Sequence, residues 1–516
     1  MTDHPSATPG APVAGPLDRW PVLLLVCIVA TIPLLLTDFP PLTDVYGHLA
    51  RYAVQTEIAQ RPLLQPFFSY DWQLIGNLGG DLLVQAFHPL FGLEGAVRAV
   101  VILTQFLGAL GILMVVREVH GRVTPLAFFA IPLLYGYPFN YGFINFALSM
   151  ALALLAFAAW LRLRARGRDR TALVWLGIAG AGIWVCHTFG WTFLGLLAGS
   201  TMLAEVMSTL RQRPLAAAGR ILAACWPLLL PLVPIVIWRT GAEGTGIGHS
   251  AFFFKMHYLV SPLRTEWPTL DVASLGVIAA ALVGLPMLGQ AFTLDLRLRI
   301  AALLCFACYF LMPTQIFESA FADMRLVPYA FMLGLLAIAP DHRIAPGMLR
   351  AVTVIAIAFC LGRLAIVGAA YVEQDRRINA TLPALDHIPQ GAKVAFFVVK
   401  PCIAPWPLPV LDHVGALALV RRNAFVNDQW QRPGLNLLRV RLPAAGAFAH
   451  DPSQLVLRDD CPVGTRPPLS QALAAMPRGV FTHIWIVGEV PGRITPPPGF
   501  VEVPGAGSGR LYAAAR

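Results

Sequence analysis

Apolar and polar positions fall along this chain in long alternating blocks. Almost wholly apolar runs occupy 20–36, 97–117, 123–138, 141–162, 172–187, 189–208, 219–238, 271–290, 299–313, 326–340 and 349–370. A helix needs about 20 apolar residues to cross the hydrocarbon core of a bilayer. The pattern therefore predicts a polytopic α-helical membrane protein with about eleven transmembrane helices over 20–370. The first run is followed by no small-residue cleavage site, so it reads as an anchor and not as a removed signal peptide. Residues 1–19 are rich in Pro, Ala and Gly, show no periodicity, and read as a disordered tail.

The gaps between the runs are not equivalent. Arg crowds 117–122, 162–170 (RLRARGRDR), 211–220, 295–299 and 341–350, which are alternate gaps and so share one side. Cytoplasmic loops carry the excess of Arg and Lys. That side, with the N-terminus, is predicted to be cytoplasmic. An odd number of crossings then puts residues 371–516 outside the cytoplasm.

Beyond residue 370 the blocks shorten. KVAFFVV at 393–399 and HIWIVGEV at 483–490 read as buried strands, and FVEVPGAGSGRLYAA at 500–514 as a terminal hairpin. A helix is expected near 411–420, which makes 371–516 a small α/β domain. Cys402 and Cys461 fall in it, either as a disulfide of an oxidising compartment or as two free thiols.

Composition agrees with this picture. The 516 residues are 57% hydrophobic and only 13% charged, against about 45–50% and 25% in soluble proteins. A soluble enzyme, a disordered chain and a coiled coil are excluded. The net charge of +10 is carried by Arg in the short gaps, as membrane topology requires, and does not indicate nucleic-acid binding. The six other cysteines, the Cys305/Cys308 CxxC included, lie in apolar runs and read as small packing residues.

The remaining polar residues gather on the non-cytoplasmic side. In TDVYGHLARYAVQ, Asp44, His48, Arg51 and Gln55 recur at helical spacing and share a face. This predicts an amphipathic outer-loop helix near 43–60, suited to lying along the bilayer surface. The plainer reading is a helix cap followed by solvated side chains. Asn77 and Asp81 precede the second run. Asn140, Tyr141 and Asn145 lie in YPFNYGFINF, and His187 lies in CHTFGW. His249, Lys255 and His257 occupy the loop at 239–270. Glu318, Asp323 and Arg325 lie in FESAFADMR, and Arg363 sits within the last run. An ion inside a membrane is costly and marks a candidate functional group, though Arg363 can equally snorkel or pair with one acid.

This arrangement resembles the GT-C superfamily of integral-membrane glycosyltransferases. The resemblance rests on an acid in the first outer loop (Asp44), a helix following it, about eleven spans and an extracytoplasmic C-terminal domain. It looks most like a bacterial subgroup with D-x-x-x-H-x-x-R (Asp44, His48, Arg51), GF-x-N-F (142–146) and acid-x-Arg (Asp323, Arg325) elements. It covers about 1–370 well and the tail loosely. The resemblance implies transfer of a sugar from a polyprenyl-phosphate donor to a periplasmic glycan, lipid or protein, with inversion. Asp44 would be the general base. Arg325, or else Arg51, would grip the phosphate with its two-toothed guanidinium. His48, Asp81, Tyr141, Asn145 and His187 would complete the substrate site. Many family members carry two neighbouring acids in this loop. Here Asp38 and Asp44 are six apart, so a paired-acid metal site is not supplied locally; a divalent metal stays open as a cofactor but has no paired-acid motif behind it.

Two other functions compete. A transporter or flippase of a lipid-linked or charged solute needs ionisable groups near the midplane and often internal repeats, and neither pattern stands out. A non-catalytic assembly partner would leave Asp44 dispensable.

Overall fold

A computed structural model describes residues 15–240, 247–248, 252–316, 319–432, 435–462 and 464–515. Most of the predicted disordered tail, together with His249 and Glu318, lies outside the described residues. The fold is that of a multi-pass helical membrane protein. Five helices among the described residues are long and apolar enough to cross a membrane: Gly79–His120, Ile144–Ala165, Thr188–Leu210, Pro268–Met287 and the helix that begins at Pro346. Every other predicted run also falls on a helical segment, shorter or interrupted: Trp20–Thr31, Leu126–Ala130, Asp169–Cys186, Pro214–Cys225, Leu296–Leu311 and Val327–Leu336. Proline explains several interruptions, because it supplies no backbone donor to the preceding turn. Pro33 and Pro227 each sit at the head of a 3-10 turn that tightens an α-helix end.

Two helices run further than the hydropathy pattern predicts. The second begins at Gly79, not near 97, and bends at Gly92, whose φ of 68° no other residue type adopts readily. Asp81 and Pro89 dilute its first turns and hide its start. The last continues to Asn379, well past the apolar run. Leu303, Leu311, Val354 and Ile355 point outward and are exposed. A row of such side chains is a liability in water and the ordinary surface in lipid. Arg363 neither snorkels nor stands alone. It pairs with Asp271 at 2.8 Å, each 1% exposed.

The C-terminal region forms a six-stranded mixed sheet. Phe500–Val503, Arg510–Ala514, His483–Gly488 and Lys393–Lys400 lie side by side in that order, the first three antiparallel and the last two parallel. The far edge of Lys393–Lys400 takes Phe425–Val426 at one end and Leu455–Leu457 at the other. The central strand is buried from Val394 to Val399 on both faces, as its unbroken apolar run requires. Cys402 and Cys461 form a disulfide.

This region is tied firmly to the membrane helices. Phe68–Tyr70, from the first outer loop, pairs antiparallel with Leu438–Val440. Arg264 donates to the carbonyls of Pro405 and Trp406 at 2.7 and 2.6 Å. The Trp406 indole donates to Asp271 at 2.8 Å, joining the buried ion pair. The outer-loop helix, Val45–Glu57, lies under the same region. It does not rest with one face open to headgroups and water. Both faces are covered, one by membrane helices and the other by the C-terminal helix Ala416–Arg422, so Val45, Leu49, Arg51 and Tyr52 are all buried. Its polar face is met by protein groups instead of solvent.

Candidate active site

Asp44 stands at the N-terminal end of the outer-loop helix but does not cap it: its carboxylate accepts no hydrogen bond from the first turn. The side chain is therefore free for other work. The backbone around it is stitched down. Asp44 N–H donates to the Tyr141 carbonyl at 3.0 Å and Thr43 N–H to that of Asn140 at 3.3 Å. Asn140 is held in turn by Tyr371, whose hydroxyl donates to Asn140 Oδ1 at 2.7 Å. Gly142, in the GF-x-N-F element, has φ of 104°. A Cβ on it would lie 2.8 Å from the Asp44 backbone nitrogen, so the close approach requires glycine.

The C-terminal region closes over this point. His413 Nε2 lies 3.8 Å from Asp44 Oδ1, with side-chain exposures of 5% and 13%. The His413 ring packs against Trp430 with centroids 4.2 Å apart and the planes tilted by 46°, and Trp430 reaches on to the His48 ring at 5.1 Å. Trp430 sits against Gly47, where any Cβ would come within 2.6 Å of the indole. Burial pushes Asp44 well above the usual carboxylate range, and the negative charges of Asp451 and Asp412 add to it, while Arg325 acts in the opposite sense. Burial pulls His413 and His48 down, so both are neutral at pH 7.

Arg325 approaches from the other side. Asp323, two residues earlier, is fully occupied: it pairs with Lys255 at 3.1 Å, accepts from Thr314 and caps Met324 N–H. This holds the 3-10 turn Met324–Leu326 and aims Arg325 inward. The buried Arg325 guanidinium lies 4.1 Å from the Phe143 ring centre and donates to Ser319 Oγ and the Ala320 carbonyl. Among the described residues its Nε has no partner and no carboxylate pairs with it. Phe143 packs on Tyr141, the residue that holds the Asp44 backbone. His187 shares the Phe146 and Phe189 rings with Arg325 and turns Nδ1 to the Phe189 N–H at 3.1 Å.

Asp44, His48, Tyr141, His187 and Arg325 are thus brought to one neighbourhood. Arg51, Asp81 and Asn145 form another. Arg51 and Asp81 make a two-toothed buried ion pair, and the same carboxylate accepts from Tyr70 at 2.6 Å and Asn145 at 3.4 Å. Asn145 also accepts from Gly80 N–H at 2.6 Å, pinning the start of the Gly79–His120 helix. Within this network Arg51 Nε alone of the guanidinium nitrogens has no partner among the described residues. The groups missed by sequence reasoning are His413, Trp430 and the carboxylates of Asp412, Asp428 and Asp451. The signal available was the polar clusters LDH at 411–413 and NDQW at 427–430.

The backbone as a whole superposes on that of ArnT from Cupriavidus metallidurans bound to undecaprenyl phosphate, with a TM-score of 0.54, 14% identity, and coverage of 97% of this chain and 98% of that one. The fold is that of ArnT. The apo-state ArnT structure from the same organism aligns at a TM-score of 0.45 and 14% identity, over 96% and 97% of the two chains. No family model and no curated protein matches the sequence. The likeness to ArnT runs through the membrane helices and the C-terminal region alike, since almost all of both chains is covered.

Proposed function

We propose that this protein is a membrane glycosyltransferase that takes a sugar from a polyprenyl-phosphate donor and passes it to a hydroxyl of a glycan, lipid or protein. The observation that carries the reading is Arg325: a buried guanidinium that, unlike Arg51, has no carboxylate partner among the described residues, close enough to Asp44 for its charge to act on that carboxylate. The ArnT fold supports it, since ArnT in that fold holds undecaprenyl phosphate. A guanidinium matches two phosphate oxygens at once and keeps its charge at any physiological pH. Asp44 acts as general base on the acceptor hydroxyl. Its raised proton affinity suits the task, because a base works best with a pKa near the working pH. In-line attack inverts the anomeric carbon. Tyr141 and His187 line the space between base and phosphate, and the polyprenyl tail lies among membrane helices. The N-terminus lies in the cytoplasm and the C-terminal region in the periplasm, a reading that the Arg-rich gaps support.

The test is transfer of labelled sugar from a polyprenyl-phosphate donor by purified protein in detergent. Asp44→Asn is expected to abolish transfer, and Arg325→Lys to weaken donor affinity at least tenfold through loss of the two-toothed contact. Wild-type rates in Asp44→Asn, or unchanged donor affinity in Arg325→Lys, refute those roles.

A further inference from the structure

Histidine 413 comes from the C-terminal region, yet its ring is placed as carefully as any group near Asp44. Three contacts fix it. The Trp430 indole lies 4.2 Å away, Gly47 leaves room behind it, and Nδ1 is 3.0 Å from the Asp428 carbonyl. A carbonyl oxygen only accepts, so Nδ1 must carry the ring proton. The other nitrogen, Nε2, is then a lone-pair acceptor, and it faces Asp44 Oδ1 at 3.8 Å. A movement of roughly 1 Å brings the two into hydrogen-bond range. The other charged groups around the ring are Asp412, Asp451 and Lys400, with Asp412 paired to Lys400.

We propose that His413 is a positioning residue for the transfer reaction: its bare Nε2 accepts a hydrogen bond from Asp44 once that carboxyl has taken the acceptor's proton, and so fixes the orientation of the carboxyl group. The inference rests on the glycosyl-transfer reading above. The acceptor oxygen bonds to the anomeric carbon as that carbon's bond to the donor phosphate oxygen breaks. The electron pair of the broken bond leaves with the lipid phosphate. The hydroxyl proton passes to Asp44, whose O–H then donates to His413 Nε2, and the proton is lost from Asp44 to water when products depart. The neutral imidazole holds the protonated carboxyl in place meanwhile. The geometry thus makes the C-terminal region part of the reacting centre and more than a cover over it.

The experiment has two arms on the full-length protein in detergent. In the first, His413→Phe keeps a ring on Trp430 but removes both nitrogens, and His413→Gln keeps a polar terminus. Both are expected to leave donor KM within about twofold, while His413→Phe lowers kcat about 10–100-fold and His413→Gln less. In the second, nitrogen-15 histidine NMR of the wild type, with the signal identified by its loss in His413→Phe, reads the tautomer at pH 7. Nδ1-protonated, Nε2-bare imidazole that shifts on Asp44→Asn is the expected result. An Nε2-protonated ring, a signal indifferent to Asp44→Asn, or wild-type kcat in His413→Phe overturns the proposal. Absence of any transfer by wild-type protein overturns the functional reading instead, and the NMR arm then decides alone whether Asp44 and His413 share a proton.

Discussion

The Arg51–Asp81 pair separates a structural role from a substrate-binding one. Arg51 is 3% and Asp81 0% exposed, and Tyr70 and Asn145 complete the carboxylate's shell. Replacing Asp81 with Asn leaves a guanidinium buried without a counter-charge. Breaking a buried pair in this way costs about 3–5 kcal/mol, whereas replacing both partners by apolar residues of similar size costs far less, because no charge remains stranded. Asp81→Asn is therefore expected to lower the thermal midpoint steeply, and Arg51→Met/Asp81→Leu to recover most of the loss. The buried thiols of Cys27, Cys186, Cys305 and Cys360 provide the readout: a maleimide dye reaches them only as the protein unfolds. As a control, Glu502→Gln, at an exposed pair with Arg510, should leave the midpoint unmoved. Donor affinity of any Asp81→Asn protein that remains folded should match wild type. A stable Asp81→Asn variant with weakened donor binding would refute the reasoning and return Arg51 and Asp81 to the substrate site.

The acid limb of kcat/KM should report Asp44. Its carboxyl is raised by burial and by Asp451 and Asp412, and it works only when ionised, so activity falls as pH drops through a value well above the ordinary carboxylate range; a profile flat down to about pH 4 contradicts this. Asp428 is buried and pushed up to about 8. The folded state then keeps a proton that the unfolded chain has lost, so stability declines as pH rises from about 4 to about 8, by something of order 4 kcal/mol at neutral pH. Asp428→Asn should remove that slope and raise the midpoint at pH 7 but not at pH 4, as measured by thermal unfolding across pH. Gly142→Ala places a methyl against the Asp44 backbone. It should cost roughly 1–3 kcal/mol in strain and reduce transfer at least tenfold, with donor binding retained; full activity would show that the Asp44 position is not set by this contact.

What the sequence could reveal follows the range of the forces involved. Burial in lipid writes a local signature, so every apolar run predicts a helical segment, and the strands near 393–399 and 483–490 declare themselves by the same rule. The helical repeat of Asp44, His48, Arg51 and Gln55 identifies the outer-loop helix. It does not say what covers each face, because that depends on segments far away. Periodicity could not separate His48, which meets Trp430, from Arg51, which meets Asp81. The early start of the second long helix stayed hidden because Asp81 and Pro89 suppress the apolar signal where partners elsewhere satisfy them. His413 lies hundreds of positions from Asp44, and the polar cluster at 411–413 marks a polar site without saying what it meets.

That separation has a consequence for how the molecule comes into being. Asp44 precedes His413, Trp430 and the strand Leu438–Val440 that pairs with Phe68–Tyr70 by hundreds of residues along the chain. A ribosome that stalls between them, or a protease that cuts there, leaves the outer-loop helix without the C-terminal helix that covers it and Phe68–Tyr70 without its partner strand. On the proposed function, such a fragment lacks His413 beside Asp44 and is expected to be inactive.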